Sequence, residues 1–226
     1  MLKLYWPRWW PLIGLMLALP VTGHPDQVKI VINDREASEI RADMIRQARS
    51  ELFVSYFVFR DDASSVAGFA LMLDAADRGV RVKIMLDGLF RDIAKPYLKA
   101  LVSHPNIEVR DYNRFSIFSL LRAFRRSHEK LILADNIHSS GYHYITGGRN
   151  ISNKYFGYGT DRNFHDIDVY VHGESALVAR NEFFLKQWES EQVQEVPLGN
   201  YSPENLELKT CPQAKREIDQ CSICLL

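Results

Sequence analysis

His128-Glu129-Lys130 sets an imidazole and a fixed cation two residues apart. Side chains alternate faces along a β-strand, so on a strand His128 and Lys130 project from one side. Leu131 and Leu133 then point the other way, into a core. An imidazole can act as nucleophile or proton carrier, and an ammonium can hold anionic oxygens, so the pair is suited to a phosphate ester. Asp135 closes the same strand. Downstream, Gly147-Gly148-Arg149-Asn150 offers backbone N–H groups that can approach an anion closely, because glycine has no Cβ in the way.

The elements that must position these groups read as alternating strands and helices. Val28 to Ile32 is a short apolar run, an edge or central strand, and Asn33-Asp34 offers a helix N-cap. Ile40, Met44, Ile45 and Ala48 carry helical spacing through Arg49. Leu52 to Phe59 is rich in β-branched and aromatic residues and reads as a buried strand. Val66 to Asp77 is a helix stopped by Arg78-Gly79, followed by a strand over Val80 to Leu86. A helix over Ile93 to Val102 and a strand over Ile107 to Tyr112 come next. The alternation implies the α/β class, a mixed β-sheet flanked by helices. With 226 residues and 46% hydrophobic content, the chain builds one well-buried domain rather than two. The formal net charge is zero, so no global field recruits nucleic acid or anionic lipid, and any attraction must be local.

His128, Lys130 and Asp135 have the spacing of the HxKx4D motif, and on it the chain resembles the phospholipase D superfamily. Gly147, Gly148 and Asn150 match the family's trailing Gly-Gly/Ser-x-Asn element. The blocks Glu51 to Phe59, Ala75 to Asp87, His165 to Gly173 and Phe183 to Trp188 are similar to the first half of bacterial cardiolipin synthase-like proteins. The resemblance implies a phospholipase D-like α/β fold with a single motif, a phosphohistidine intermediate on His128, and no cofactor or metal. Lys130 and Asn150 would hold the non-bridging oxygens, with Gly147, Gly148 and Arg149 lining the substrate loop. Asp166 is the candidate to orient the imidazole through its other nitrogen, with Asp168 as the fallback. Asp135 completes the catalytic motif as its structural acid, bonding backbone near the strand end. Gly148 stands where many relatives carry Ser.

In the family, two motifs face each other and the second histidine protonates the leaving group. With one motif, the resemblance implies a symmetric homodimer that presents two copies of His128 to one site. The segment between Asp135 and Gly147 is longer than is usual and brings His138 and His143 nearby. Both read as loop histidines of a surface hairpin, and His165 and His172 as exposed spectators.

Residues 1–23 read as an export signal or an uncleaved membrane anchor. Lys3 and Arg8 precede the apolar Trp9 to Val21 run, and Val21-Thr22-Gly23 is a plausible cleavage site. Trp6, Trp9 and Trp10 would suit a membrane interface. The catalytic domain is assigned to 24–192 and a loosely ordered tail to 193–226. The tail holds all three cysteines, Cys211, Cys221 and Cys224, with too few partners for a metal site. Phe115 to Phe124, with Arg122, Arg125 and Arg126 beside it, reads either as a basic amphipathic stretch at a lipid surface or as a helix covering the sheet. The function expected is an exported, periplasmic or membrane-associated phosphodiesterase that hydrolyses or transphosphatidylates phospholipid. The alternatives are a metal-independent endonuclease acting on nucleic acid, or an inactive half-enzyme that binds lipid phosphate.

Overall fold

The computed structural model describes residues 26–88, 93, 95–114, 126–136 and 141–196. Eight strands form one sheet: β1 (Gln27–Val31), β2 (Glu51–Tyr56), β3 (Arg81–Asp87), β4 (Ile107–Tyr112), β5 (Lys130–Asp135), β6 (Tyr142–Gly147), β7 (Asp168–His172) and β8 (Val193–Glu195). Their order across the sheet is β1-β7-β6-β5-β2-β3-β4-β8. β2, β3 and β4 are parallel, and every other pairing is antiparallel. The mixed sheet expected from the sequence is therefore present, with Val28 to Ile32 falling at an edge.

Both faces of the sheet are covered, so the central strand β2 is buried along its whole length. Helices α1 (Asp34–Gln47), α2 (Ala63–Asp77) and α3 (Lys95–Ser103) flank the sheet. Val54, Ile84, Ile132 and Ile145 belong to the core on the face toward α1 and α2. The opposite face carries Phe53, Met85, Leu131 and Leu133 against Phe184 and Trp188. Those two come from a short helix α4 (Glu174–Val178), a π-helical turn (Ala179–Leu185) and α5 (Lys186–Trp188). Trp188 is buried and meets two cations, with the Arg110 guanidinium 4.4 Å and the Lys83 ammonium 4.8 Å from its ring centroid.

Local signals place the helix ends. The Asn33 side chain accepts from Glu36 N, as the sequence suggests for a cap, and Asp62 caps α2 by accepting from Ser65 N. α2 stops at Gly79, whose φ of 93° is open to glycine at no steric cost. β8 corrects the expected domain boundary: Val193, Gln194 and Glu195 pair with Tyr112, Asp111 and Arg110, so the sheet continues past residue 192. The expected leader at 1–23, the basic stretch at 115–124, His138 and the cysteine-bearing end of the tail lie outside the described residues. Arg126, at the border of that stretch, is half-buried and bonds Asp87 at 3.3 Å and Asn113 O at 3.0 Å.

Candidate active site

Strand register brings the motif together at one end of the sheet. Tyr56 at the end of β2 pairs with Lys130 at the start of β5, Leu131 with Thr146, and Gly147 at the end of β6 with Asp168 at the start of β7. Three chain crossings thus meet where His128 enters β5. Its ring is exposed and tilts against Phe57, with centroids 4.6 Å apart. Lys130 is 2% exposed, and its Nζ lies 3.1 Å from His128 Nδ1 and 2.8 Å from the His128 carbonyl oxygen. Burial lowers the Lys130 ammonium pKa from its ordinary value, and the nearby negative charge of Asp166 works against that shift. Lys130 can only donate, so in this arrangement His128 Nδ1 accepts and Nε2 carries the proton.

Asp166 sits beside this pair without a hydrogen bond to His128. One of its oxygens accepts from Ile167 N. A Cβ on Gly148 would lie 2.1 Å from both Asp166 carboxylate oxygens, and one on Gly147 would lie 2.2 Å from Asp168 Oδ1. The two glycines therefore let the start of β7 close over the end of β6. Asn150 is 93% shielded (7% exposed); its Oδ1 accepts from Val58 N at 3.2 Å and its Nδ2 donates to Tyr155 at 3.2 Å. It tethers the end of the Gly-Gly loop to the segment after β2, beside a cavity of about 450 Å³ lined also by Arg60, Asp61, Ser152 and Lys154.

Three candidate residues are taken up by structural bonds instead. Arg149 is 0% exposed and bonds Val31 O, Ile32 O, Asp34 and Asp168, so it locks β1 to β7 and is not available to substrate. The two glycines before it interrupt strand alternation, which is why its sequence neighbours mislead. Asp168, the fallback orienter, is likewise 0% exposed and pairs with Arg41 at 2.9 Å and Arg149 at 3.1 Å. Asp135 lies at the far end of β5, where it accepts from Arg49 N, Ser50 N, Ser50 Oγ and Glu51 N. Burial alone would raise its carboxyl pKa; the donors outweigh that and hold it below the usual value. It clamps the entry to β2 and does no chemistry at His128.

The histidines also separate. His143 is not a surface-hairpin residue: it lies on β6, buried, with Nδ1 2.9 Å from the Tyr170 hydroxyl. Burial, helped by neighbouring His172 and opposed by Asp135, pushes its pKa down to about 4. His165 is exposed and meets Asp34 at 3.1 Å. Among the described residues, no group of three His, Cys, Asp or Glu side chains could hold a metal ion.

Glu129 was missed by reading the motif alone. Between two site residues on a strand, it must face the other side. There it accepts from Ser55 Oγ at 3.1 Å, and its carbonyl accepts from Phe57 N. Burial raises its carboxyl pKa, against hydrogen bonds from Gln187, Ser55 and Ser127 that lower it. The pair His128–Lys130 is thus pinned from behind to β2 and α5.

Comparisons to known proteins bear on the family and the fold. The family described as cardiolipin synthase, PLD-like domain, matches residues 42–188. Cardiolipin synthase C of Escherichia coli is 34% identical over 194 residues, covering 78% of this chain and 40% of that protein. An uncharacterized protein of Helicobacter pylori is 35% identical over 191 residues, covering 78% and 36%. The chain therefore spans less than half the length of these relatives. Among solved structures, Nuc from Salmonella typhimurium, a phospholipase D family member, superposes with a TM-score of 0.54 at 18% identity, covering 76% of this chain and 99% of that one. NucT from Helicobacter pylori gives 0.57 at 15% identity, covering 76% and 100%. On the family match, the identity to its relatives and the shared fold, the chain belongs to the phospholipase D superfamily, among its cardiolipin synthase-like members.

Proposed function

We propose that this chain is a phosphodiesterase that cleaves or exchanges the headgroup bond of a phospholipid, with His128 as nucleophile. The observation that carries the reading is the exposed His128 ring held beside the buried Lys130 ammonium at the meeting point of β2, β5, β6 and β7. A His128 nitrogen attacks phosphorus, a P–N bond forms, and the P–O bond to the leaving alcohol breaks with a proton delivered to that oxygen. Water or an acceptor alcohol then attacks phosphorus, giving its proton to the group that protonated the first leaving oxygen, and the imidazole leaves. Lys130 moves from Nδ1 to the phosphate oxygens, joined by the Gly148 and Asn150 loop. Once Lys130 has left Nδ1, the imidazole proton passes from Nε2 to Nδ1 through solvent, and Nδ1–H turns to the neighbouring Asp166, leaving Nε2 as the attacking nitrogen.

The leaving-group acid is His128 of a second copy across a twofold axis. An apolar patch favours such a partner: Val28, Ile30 and Ile32 are exposed at the β1 edge, and Ile167 is exposed beside the site. The lipid reading is favoured by the 34% identity to Cardiolipin synthase C. Export to the periplasm or a membrane surface is the setting we assign to it; among the described residues no helix is long and apolar enough to cross a membrane.

The test is headgroup release from mixed phospholipid vesicles by the full chain in excess EDTA, with single- and double-stranded DNA as parallel substrates. Release that survives EDTA and falls about 10³-fold or more in His128→Ala is expected. Cleavage of DNA instead would move the activity to the nuclease class. No cleavage of either by a protein that sediments as a monomer would leave the half-enzyme reading.

A further inference from the structure

Helices α1 and α2 do not close on one another along their whole length. Between them, over the sheet, lies a cavity of about 230 Å³. Its walls are largely apolar: Ala42 and Ile45 of α1, Leu71 and Met72 of α2, Ile132 of β5 beneath, and Ile151 at the far end. Ile151 directly follows Asn150, so the cavity adjoins the loop of the candidate active site.

Two features set this space apart from a packing fault. The first is Arg41, which lines it and is 3% exposed. Its Nε donates to the Tyr56 hydroxyl, and its Nη1 donates to Ala37 O and meets Asp168. Its Nη2 is buried with no hydrogen-bond partner. A buried N–H left unmade is costly, so an oxygen acceptor reaching it would be favoured. The second is Gly68, also in the lining and in the middle of α2. A Cβ there would meet nothing within 4 Å, so no close approach demands glycine. Glycine weakens a helix interior relative to alanine. What it does here is keep the cavity wide.

We propose that this cavity binds a fatty acyl chain, its methylenes between α1 and α2 and its head oxygen, carbonyl or carboxylate, on Arg41 Nη2. A largely apolar slot, with Ser38, Ser64, Asn153 and Tyr158 also in its lining and an unpartnered guanidinium nitrogen on Arg41, has the shape of that ligand class. Asp168 already balances the Arg41 charge, so a neutral ester carbonyl is accommodated as well as a carboxylate. The proposal is one of binding and stands whether or not His128 cleaves lipid.

The test is calorimetric titration of the full chain with saturated fatty acids from hexanoate upward, below their micelle concentrations. Each added methylene should tighten binding about fourfold until the cavity is full, after which affinity levels off. Gly68→Leu, whose Cβ meets nothing within 4 Å, extends into the slot from α2 and should weaken dodecanoate about tenfold or more, while melting no lower than the parent. Leu71→Trp, at a half-buried wall position, should do the same and decides the matter if Gly68→Leu fails to fold. His128→Ala should bind dodecanoate as the parent does, which separates this site from the chemistry. Displacement of dodecanoate by a dodecanoyl lysophospholipid identifies a lipid-borne chain as occupant; no displacement identifies a free fatty acid. Absence of saturable binding, affinity independent of chain length, or undiminished binding by a folded Gly68→Leu would overturn the proposal.

Discussion

His143 shows how far one side chain's role depends on which way its strand faces. Its folded pKa of about 4 lies below the usual 6.5, so the native state refuses a proton that the unfolded chain accepts. The stability it supports is complete above pH 6.5 and is lost as pH falls toward 4, a change of about 3 kcal/mol by linkage. Urea unfolding of His143→Asn across that window should show a flatter pH dependence than the parent's. A second residue-level prediction concerns Gly148, whose lack of a Cβ gives the Asp166 carboxylate its position. Gly148→Ala should displace Asp166, and headgroup release should fall about 10- to 100-fold while the urea midpoint moves far less. Of the site residues, His128, Lys130 and their shared face were legible because a two-residue strand period carries them together. The inward turn of Arg149 was not, since two glycines before it break that period. Nor was the burial of His143, which depends on β6–β7 register.

At the scale of elements, the strands were the most legible part, because runs such as 52–56 and 82–86 are mostly apolar, and 107–112 alternates buried with more exposed positions. Boundaries moved by a few residues where a cap decided them: α2 begins at Ala63, set by Asp62, rather than at the first large apolar residue. α1 held a clue left unused. Arg41 lies four residues from both Ala37 and Ile45 on the helix's buried stripe, and a charge at such a position implies a partner across the core. β5 joins two ends with different duties, His128 at one and Asp135 at the other. Asp135→Asn should therefore cost about 1–3 kcal/mol in urea unfolding by weakening four donors' acceptor, while kcat of the folded enzyme stays within about twofold.

Across the whole molecule, one buried ionic chain, Arg41–Asp168–Arg149–Asp34, ties α1, β7, the Gly-Gly loop and the start of α1 together beneath the site. Removing its central carboxylate leaves two guanidinium groups facing each other without water. Asp168→Ala should cost about 3–5 kcal/mol, read as a lowered urea midpoint. The sheet order has a further consequence. β1 and β8 occupy opposite margins, so residues 26 and 196 are separated by seven strand spacings, on the order of 30 Å. A circular permutant that joined those two points would need a bridging linker of about ten or more extended residues. A shorter splice would have to peel an outer strand from the sheet before residues 26 and 196 could meet.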